Sequence, residues 1–305
     1  MNAEKAKVNR KFLARDVRKN IFVAGMLLIP VVHFIIFYGI VNFNSILMAF
    51  QRLDPATGKY FFTTANFQRL VLAWQYGNLK DALISTFLTF GLMIFFLPWG
   101  FFLTYFLYKR IPLGGFWRTM LFVPTVLPAI AMTTIFVHMI YPLGPIGSIW
   151  TLFGKQAPFF VIGEKYARWT VLVYIFWTNF GGQFILFMGA MSRIPKELIE
   201  SARIDGAGMW KEMLKIVLPL CWPTFSMLLL LNIAGMFVAS GPILLFRGLD
   251  SSAITISFKI FDETRAGGHM LGEAAALGVV CTVILFPVVL LLRRLLGKVY
   301  ADVEF

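Results

Sequence analysis

Residues 192–219 read SRIPKELIESARIDGAGMWKEMLKIVLP, a charged stretch set between two long uncharged ones. Ile194-Pro195 ends the apolar run before it. From Lys196 to Ile204 the pattern is that of a short amphipathic helix, with Lys196/Glu200 and Glu200/Arg203 at pairing distance. Gly206-Ala207-Gly208 breaks it, and a second short helix is expected from Met209 through Val217, stopped by Pro219. The stretch therefore predicts a helix-turn-helix lying on a membrane surface.

The surroundings supply that membrane. The chain has 305 residues, of which 59% are hydrophobic and only 14% charged, too few to clothe a water-soluble globule. Uncharged runs long enough to cross about 30 Å of hydrocarbon, which takes roughly 20 residues, recur with charged loops between them. Six spans are expected, over 21–43, 83–108, 119–141, 169–190, 223–246 and 273–294. They read as helices, because no run alternates as a barrel strand must and a backbone in lipid has to satisfy its own hydrogen bonds. The predicted fold is an all-α membrane protein of six transmembrane helices with a cytoplasmic helix-turn-helix loop.

Lys and Arg set the orientation. Eighteen fall on the side of the N-terminal arm, the 192–219 loop and the C-terminal tail, against ten in the three loops opposite, which places both termini in the cytoplasm. The organisation follows: a basic arm at 1–20, a first span with its outer loop at 21–82, a core at 83–295 and a tail at 296–305. The net charge of +13 divides into ten inside and three outside, so the basicity reads as topology and contact with membrane lipid, not as a nucleic-acid surface. Cys221 and Cys281 lie in or beside spans at a spacing that fits no metal site and read as packing residues. Helix breakers recur inside spans, among them Pro98, Pro124, Pro128, Pro223, Gly235 and Gly241-Pro242. Broken helices at this depth are tolerated where protein or a water-filled cavity satisfies the freed backbone groups.

Two short helices joined at a glycine turn make a compact knob that could seat in a soluble partner and pass force to the spans on either side. The spacing Glu200-Ser201-Ala202, three residues, Gly206, nine residues, Ile216-Val217-Leu218-Pro219 resembles the E-A-A-x3-G-x9-I-x-L-P pattern of binding-protein-dependent ABC importer permeases. It stands where that family has it, after the fourth of six spans, with Ser201 in place of the usual first alanine. Glu273-Ala274-Ala275 spells the literal motif but has Val279 where glycine is required, and reads as small-residue packing. The resemblance covers roughly residues 83–295 and is closest to the sugar-importing branch that includes the large maltose permease. Leu121-Phe122-Val123-Pro124, Gly189, Asp205-Gly206-Ala207-Gly208 and Ser240-Gly241-Pro242 add to it.

No Gly-x4-Gly-Lys-[Ser/Thr] occurs, since Lys59, Lys155 and Lys298 are followed by Tyr60, Gln156 and Val299. The resemblance accordingly implies a non-catalytic subunit that binds no cofactor, with ATP and Mg used by two partner ATPase subunits. It also implies a second homologous permease subunit, an external solute-binding protein, and a place in the bacterial inner membrane. The coupling role would fall to Glu200, Ala202, Asp205, Gly206 and Leu218. For the ligand path, Ile175, Asn179, Gly182 and Gln183 fall at i, i+4, i+7 and i+8 of span four, one helix face with two amides beside a glycine gap and Trp177 nearby. Counting back from Ile194-Pro195, the first three match positions that resemble sugar contacts in the maltose permease, and only Asn179 keeps a polar side chain. These amides suit sugar hydroxyls, or equally serve as interhelical glue; Asn232 and Ser240 in span five are of the same kind. An oligosaccharide is the expected cargo, and an anionic uronate chain is the alternative, hinted at by Arg247, Lys259 and Arg265. From another class, an ion-coupled transporter would need acids inside the membrane, where only Glu273 comes near a span.

Overall fold

The computed structural model describes residues 19–54, 57–109, 111–161, 163–179, 181–238, 241–246, 251–268 and 270–299. Most of the basic N-terminal arm, the end of the C-terminal tail, and Ser240 and Arg247 lie outside them. Helix α1 (Lys19–Ala49) is long and apolar and turns its side chains outward over nearly its whole length. Its last part, Val41–Ala49, packs against the C-terminal helix Met270–Val299. There the buried Asn66 donates its Nδ2 to the carbonyls of Ala49 (3.0 Å) and Gln51 (2.9 Å), closing the helix end. A small antiparallel hairpin, β1 (Gln51–Leu53) with β2 (Tyr60–Phe62), leads into α2 (Ala65–Tyr76).

Helix α3 (Leu79–Tyr108) runs unbroken through Pro98 and is the central member. The expected span at 119–141 is instead two helices, α4 (Gly114–Val126) and α5 (Ala129–Ile140). Leu127 is extended (ψ 142°), as the residue before a proline prefers to be, and Pro128 then starts the second piece. Helix α6 (Pro145–Leu152) follows on the far side.

The expected span at 169–190 also divides, into α7 (Glu164–Asn179) and α8 (Phe184–Met191). The loop is α9 (Lys196–Ile204) and α10 (Met209–Leu220). Pro219 does not stop α10. The helix widens to i→i−5 bonding over Met213–Val217, which absorbs the N–H that proline lacks, and the chain turns only at Cys221. Helix α11 (Trp222–Ala234) then leaves at 71° to α10, with Pro223 in its first turn. It ends at Gly235, so the expected span at 223–246 is half helix and half turns and 3-10 pieces. Helix α12 (Ile256–Ala266) is capped by Thr255, whose hydroxyl accepts from Phe258 N–H, and α13 (Met270–Val299) is continuous.

Among the described residues five helical stretches are long and apolar enough to cross a bilayer, Lys19–Ala49, Leu79–Tyr108, Ala129–Leu152 (α5 with α6), Tyr166–Met191 (α7 with α8) and Met270–Lys298, and a sixth crossing results if α10 and α11 count as one bent span. Their packing makes three apolar clusters among the described residues. One, at the loop end, joins Phe101 and Tyr105 of α3 and Phe187 of α8 to Ile199, Met213 and Val217 of the loop. The other two lie at the opposite end, one around Phe136, Tyr174 and Ile243, and one around Leu79, Ile256 and Leu277. Cys221 and Cys281 are free, buried thiols within this packing, and Ala274 and Ala276 of α13 are buried as well.

Candidate functional site

The turn between α9 and α10 is closed by backbone geometry. The N–H of Gly206 bonds to Arg203 O (3.0 Å) and that of Ala207 to Ala202 O (2.9 Å), the paired bonds that end a helix on a left-handed residue. Gly206 supplies that residue at φ +75°, and a side chain there would meet no atom within 4 Å. The requirement is therefore conformational, not spatial. Of the five residues assigned to coupling, Glu200, Asp205 and Gly206 stand on the exposed rim. Ala202 is buried and Leu218 packs against the loop-end cluster, so these two hold the knob's interior together. Ile204 is 87% exposed at the turn, an apolar side chain with charged neighbours and nothing of its own chain over it.

The expected pairs of Glu200 with Lys196 and Arg203 do not form. Arg203 stays exposed but sets its Nε 3.7 Å from Oε2 of Glu212, a carboxylate only 2% exposed that needs cations. Lys109, at the end of α3, meets Glu212 Oε1 and lies over the Tyr105 ring, 5.5 Å from its centroid. Tyr105 itself donates its hydroxyl to Met209 O at 3.1 Å. None of this was expected from the sequence. The available signal was Glu212 standing in the stripe Met209, Met213, Ile216, Val217, at positions i, i+3, i+4, i+7 and i+8, where an acid demands a partner.

The path residues are not on one helix face, because α7 stops at Asn179. Gly181 causes the break to dock: a side chain there would come 2.1 Å from Leu121 O of α4. The chain makes a tight turn, with Gly182 N–H bonded to Asn179 O (3.1 Å) and Phe184 N–H to Gly181 O (3.2 Å). Ile175 is 1% exposed and belongs to the core, so it lines nothing. Asn179 Nδ2 donates to Ile175 O (3.1 Å) and Thr178 Oγ1 (3.3 Å), and Asn232 Nδ2 to Leu228 O (3.0 Å), each a carbonyl or hydroxyl of its own helix. Gly182 is exposed within the break, and Trp177 is 37% exposed and stacked on Phe136. Gln183 places its Oε1 in the interior without a hydrogen-bond partner, beside Gly100 of α3. What the break assembles is Asn179, Gly182 and Gln183 around an interrupted backbone, while Ser240 lies outside the described residues.

At the far end three ion pairs form. Arg168 of α7 reaches Asp81 (3.0 Å), Ser85 and the carbonyl of Ser252, tying α3, α7 and the turn before α12 together. Arg69 meets Glu273 at 2.5 Å, and Lys259 meets Glu263 at 2.8 Å and Asn78 at 3.0 Å.

The family model described as "Binding-protein-dependent transport system inner membrane component" matches residues 70–301. The diacetylchitobiose uptake system permease protein NgcF of Streptomyces coelicolor is 32% identical over 194 residues, 60% of this chain and 55% of that protein. The chain thus spans about half the length of that relative. The arabinooligosaccharides transport system permease protein AraP of Bacillus subtilis is 26% identical over 276 residues, 88% of this chain and 86% of that protein. Among solved structures, a crystal structure of a bacterial ABC transporter involved in the import of the acidic polysaccharide alginate contains a chain of the same fold. It superposes with a TM-score of 0.78 at 21% identity, over 94% of this chain and 98% of that one. With the match running from α2 through the loop to α13, the chain belongs to the family of binding-protein-dependent transport system inner membrane components, multi-pass subunits of ABC importers.

Proposed function

We propose that this chain passes an oligosaccharide from an external solute-binding protein into the cytoplasm by alternating access. Two separate ATPase subunits, which use ATP and Mg, drive it through the 192–219 loop, and a second homologous permease subunit completes the pathway. One observation carries the reading: the loop is a compact knob, closed at Gly206, with Glu200, Ile204 and Asp205 presented outward and its inner face continuous with the core of the bundle. Such a knob can seat in a groove and pass displacement to the helices behind it.

The knob belongs on the cytoplasmic side by its charge. Trp222 Nε1 donates to Leu296 O at 3.2 Å, which brings the end of α13 to the same side and so agrees with a cytoplasmic C-terminus. Saccharide cargo is supported by the two relatives, named for diacetylchitobiose uptake and arabinooligosaccharide transport, and by the amides gathered at the break between α7 and α8.

Proteoliposomes holding the assembled complex, with loaded binding protein outside and ATP inside, should accumulate labelled oligosaccharide. Uptake that ignored ATP and followed an ion gradient would replace this reading with an ion-coupled transporter. Glu273, the one acid that the sequence placed near the edge of a span, is already engaged by Arg69.

A further inference from the structure

The loop is joined to the bundle in two ways. Along the chain it continues α8 and α11. Through space it is fastened to α3, which lies far upstream in sequence. Tyr105, wholly buried, holds the first residue of α10 by its bond to Met209 O. One turn further along each helix, Lys109 meets Glu212, with Lys109 14% and Glu212 2% exposed. The end of α3 is itself fixed, because Arg118 donates Nη2 to Leu107 O at 2.7 Å.

A buried ion pair is weak evidence for stability, since desolvating both charges offsets most of their attraction. Its distinctive property is register. Apolar contacts such as those of Met213 and Val217 slide past one another at little cost, whereas separating Lys109 from Glu212 strands the lysine and leaves the buried carboxylate only the more distant, exposed Arg203. The pair also leads toward the path: Gly100, on the same helix as Lys109, packs against Gln183 at the break between α7 and α8. A shift of α3 therefore moves one wall of that break.

We infer that Glu212 is a positioning residue for coupling: paired with Lys109, it locks α10 to the end of α3, so that a displacement of the loop is delivered to α3 as well as to α8 and α11. This rests on the proposed function, because it needs a motor acting on the loop. It adds a third output to the loop, one that its place in the chain does not supply.

The test uses the whole complex in proteoliposomes, comparing E212Q, the double variant K109M/E212M and the conservative K109R. Three quantities are read: ATPase subunit retained on purification, ATP hydrolysed, and solute delivered per ATP. K109R should match the unaltered complex. E212Q should retain ATPase subunits within about twofold and still hydrolyse ATP, while delivering roughly tenfold less solute per ATP, a coupling loss of ordinary size. The double variant replaces the charges with packed apolar groups and should restore complex yield and thermal stability without restoring delivery. If K109M/E212M delivers solute at the normal ratio, the pair is mere packing and the inference is overturned. Should E212Q fail to assemble, the double variant alone decides. An unaltered complex that retains no ATPase subunit removes the proposed function, and the inference with it, before any variant is compared.

Discussion

Gly206 shows how far a single residue can be read. Its place at a turn was legible, since Asp205-Gly206-Ala207-Gly208 interrupts a helical pattern, and the structure adds the reason: φ +75° with both closing bonds made. An L side chain in that conformation costs about 1–2 kcal/mol, while nothing nearby would clash. G206V should therefore insert normally but lose uptake, because β-branching makes the left-handed region costlier still, whereas G206N should retain much of it, asparagine tolerating that region. Protease protection of the loop and ATP-driven uptake, measured on the same membranes, check both halves. Equal activity in G206V would show that the turn's geometry is immaterial. Glu212 marks the opposite limit. Its partner Lys109 is brought to it only by the folding of α3 against the loop, and no local pattern in the sequence names that pairing.

Elements divide along the same line. Helices α1, α3 and α13 were legible as continuous spans because hydropathy is a sum over a window and their interiors hold together, even across Pro98 and Pro287. The other three expected spans break. Their prolines and glycines were visible, but composition does not say whether a proline kinks a helix or ends it; that is settled by what the freed groups meet, as Gly181 meets Leu121 of α4. The face expected to carry Ile175, Asn179, Gly182 and Gln183 together failed for this reason, since helical spacing has no meaning across an interrupted backbone. Helix α9 came out at its predicted bounds, and it makes a prediction of its own. Ile204 is the knob's exposed apolar tip, and an apolar anchor buried in a partner's groove commonly contributes about 2 kcal/mol or more. I204E should lower retention of ATPase subunits roughly tenfold or more without altering insertion. Normal retention on an affinity column would place the docking surface elsewhere on the loop.

For the whole molecule, the question is whether the net charge of +13 implies an acidic cargo. The charges that an acidic chain would meet first lie at the outer end, and there the structure holds three of the cations against acids. Lys259, one of the three cations that hinted at a uronate, is held between Glu263 and Asn78; Arg168 and Arg69 are held by Asp81 and Glu273. Arg247 lies outside the described residues, which leaves the hint resting chiefly on Arg265. The break between α7 and α8 gathers Asn179, Gly182 and Gln183, uncharged groups that would bond hydroxyls but bring no positive charge to a carboxylate. The likeness to the alginate importer, at 21% identity, is a likeness of fold and does not tip this balance. ATP hydrolysis by the reconstituted complex with its binding protein, measured against a panel of neutral and uronate oligosaccharides of matched length, should rise with the neutral ones. Raising the salt should change that response little, because a neutral ligand gains nothing from charges that salt screens. A stronger response to uronates, weakening as salt is added, would assign the acidic cargo instead and would require cations on the path beyond the pairs seen at the outer end.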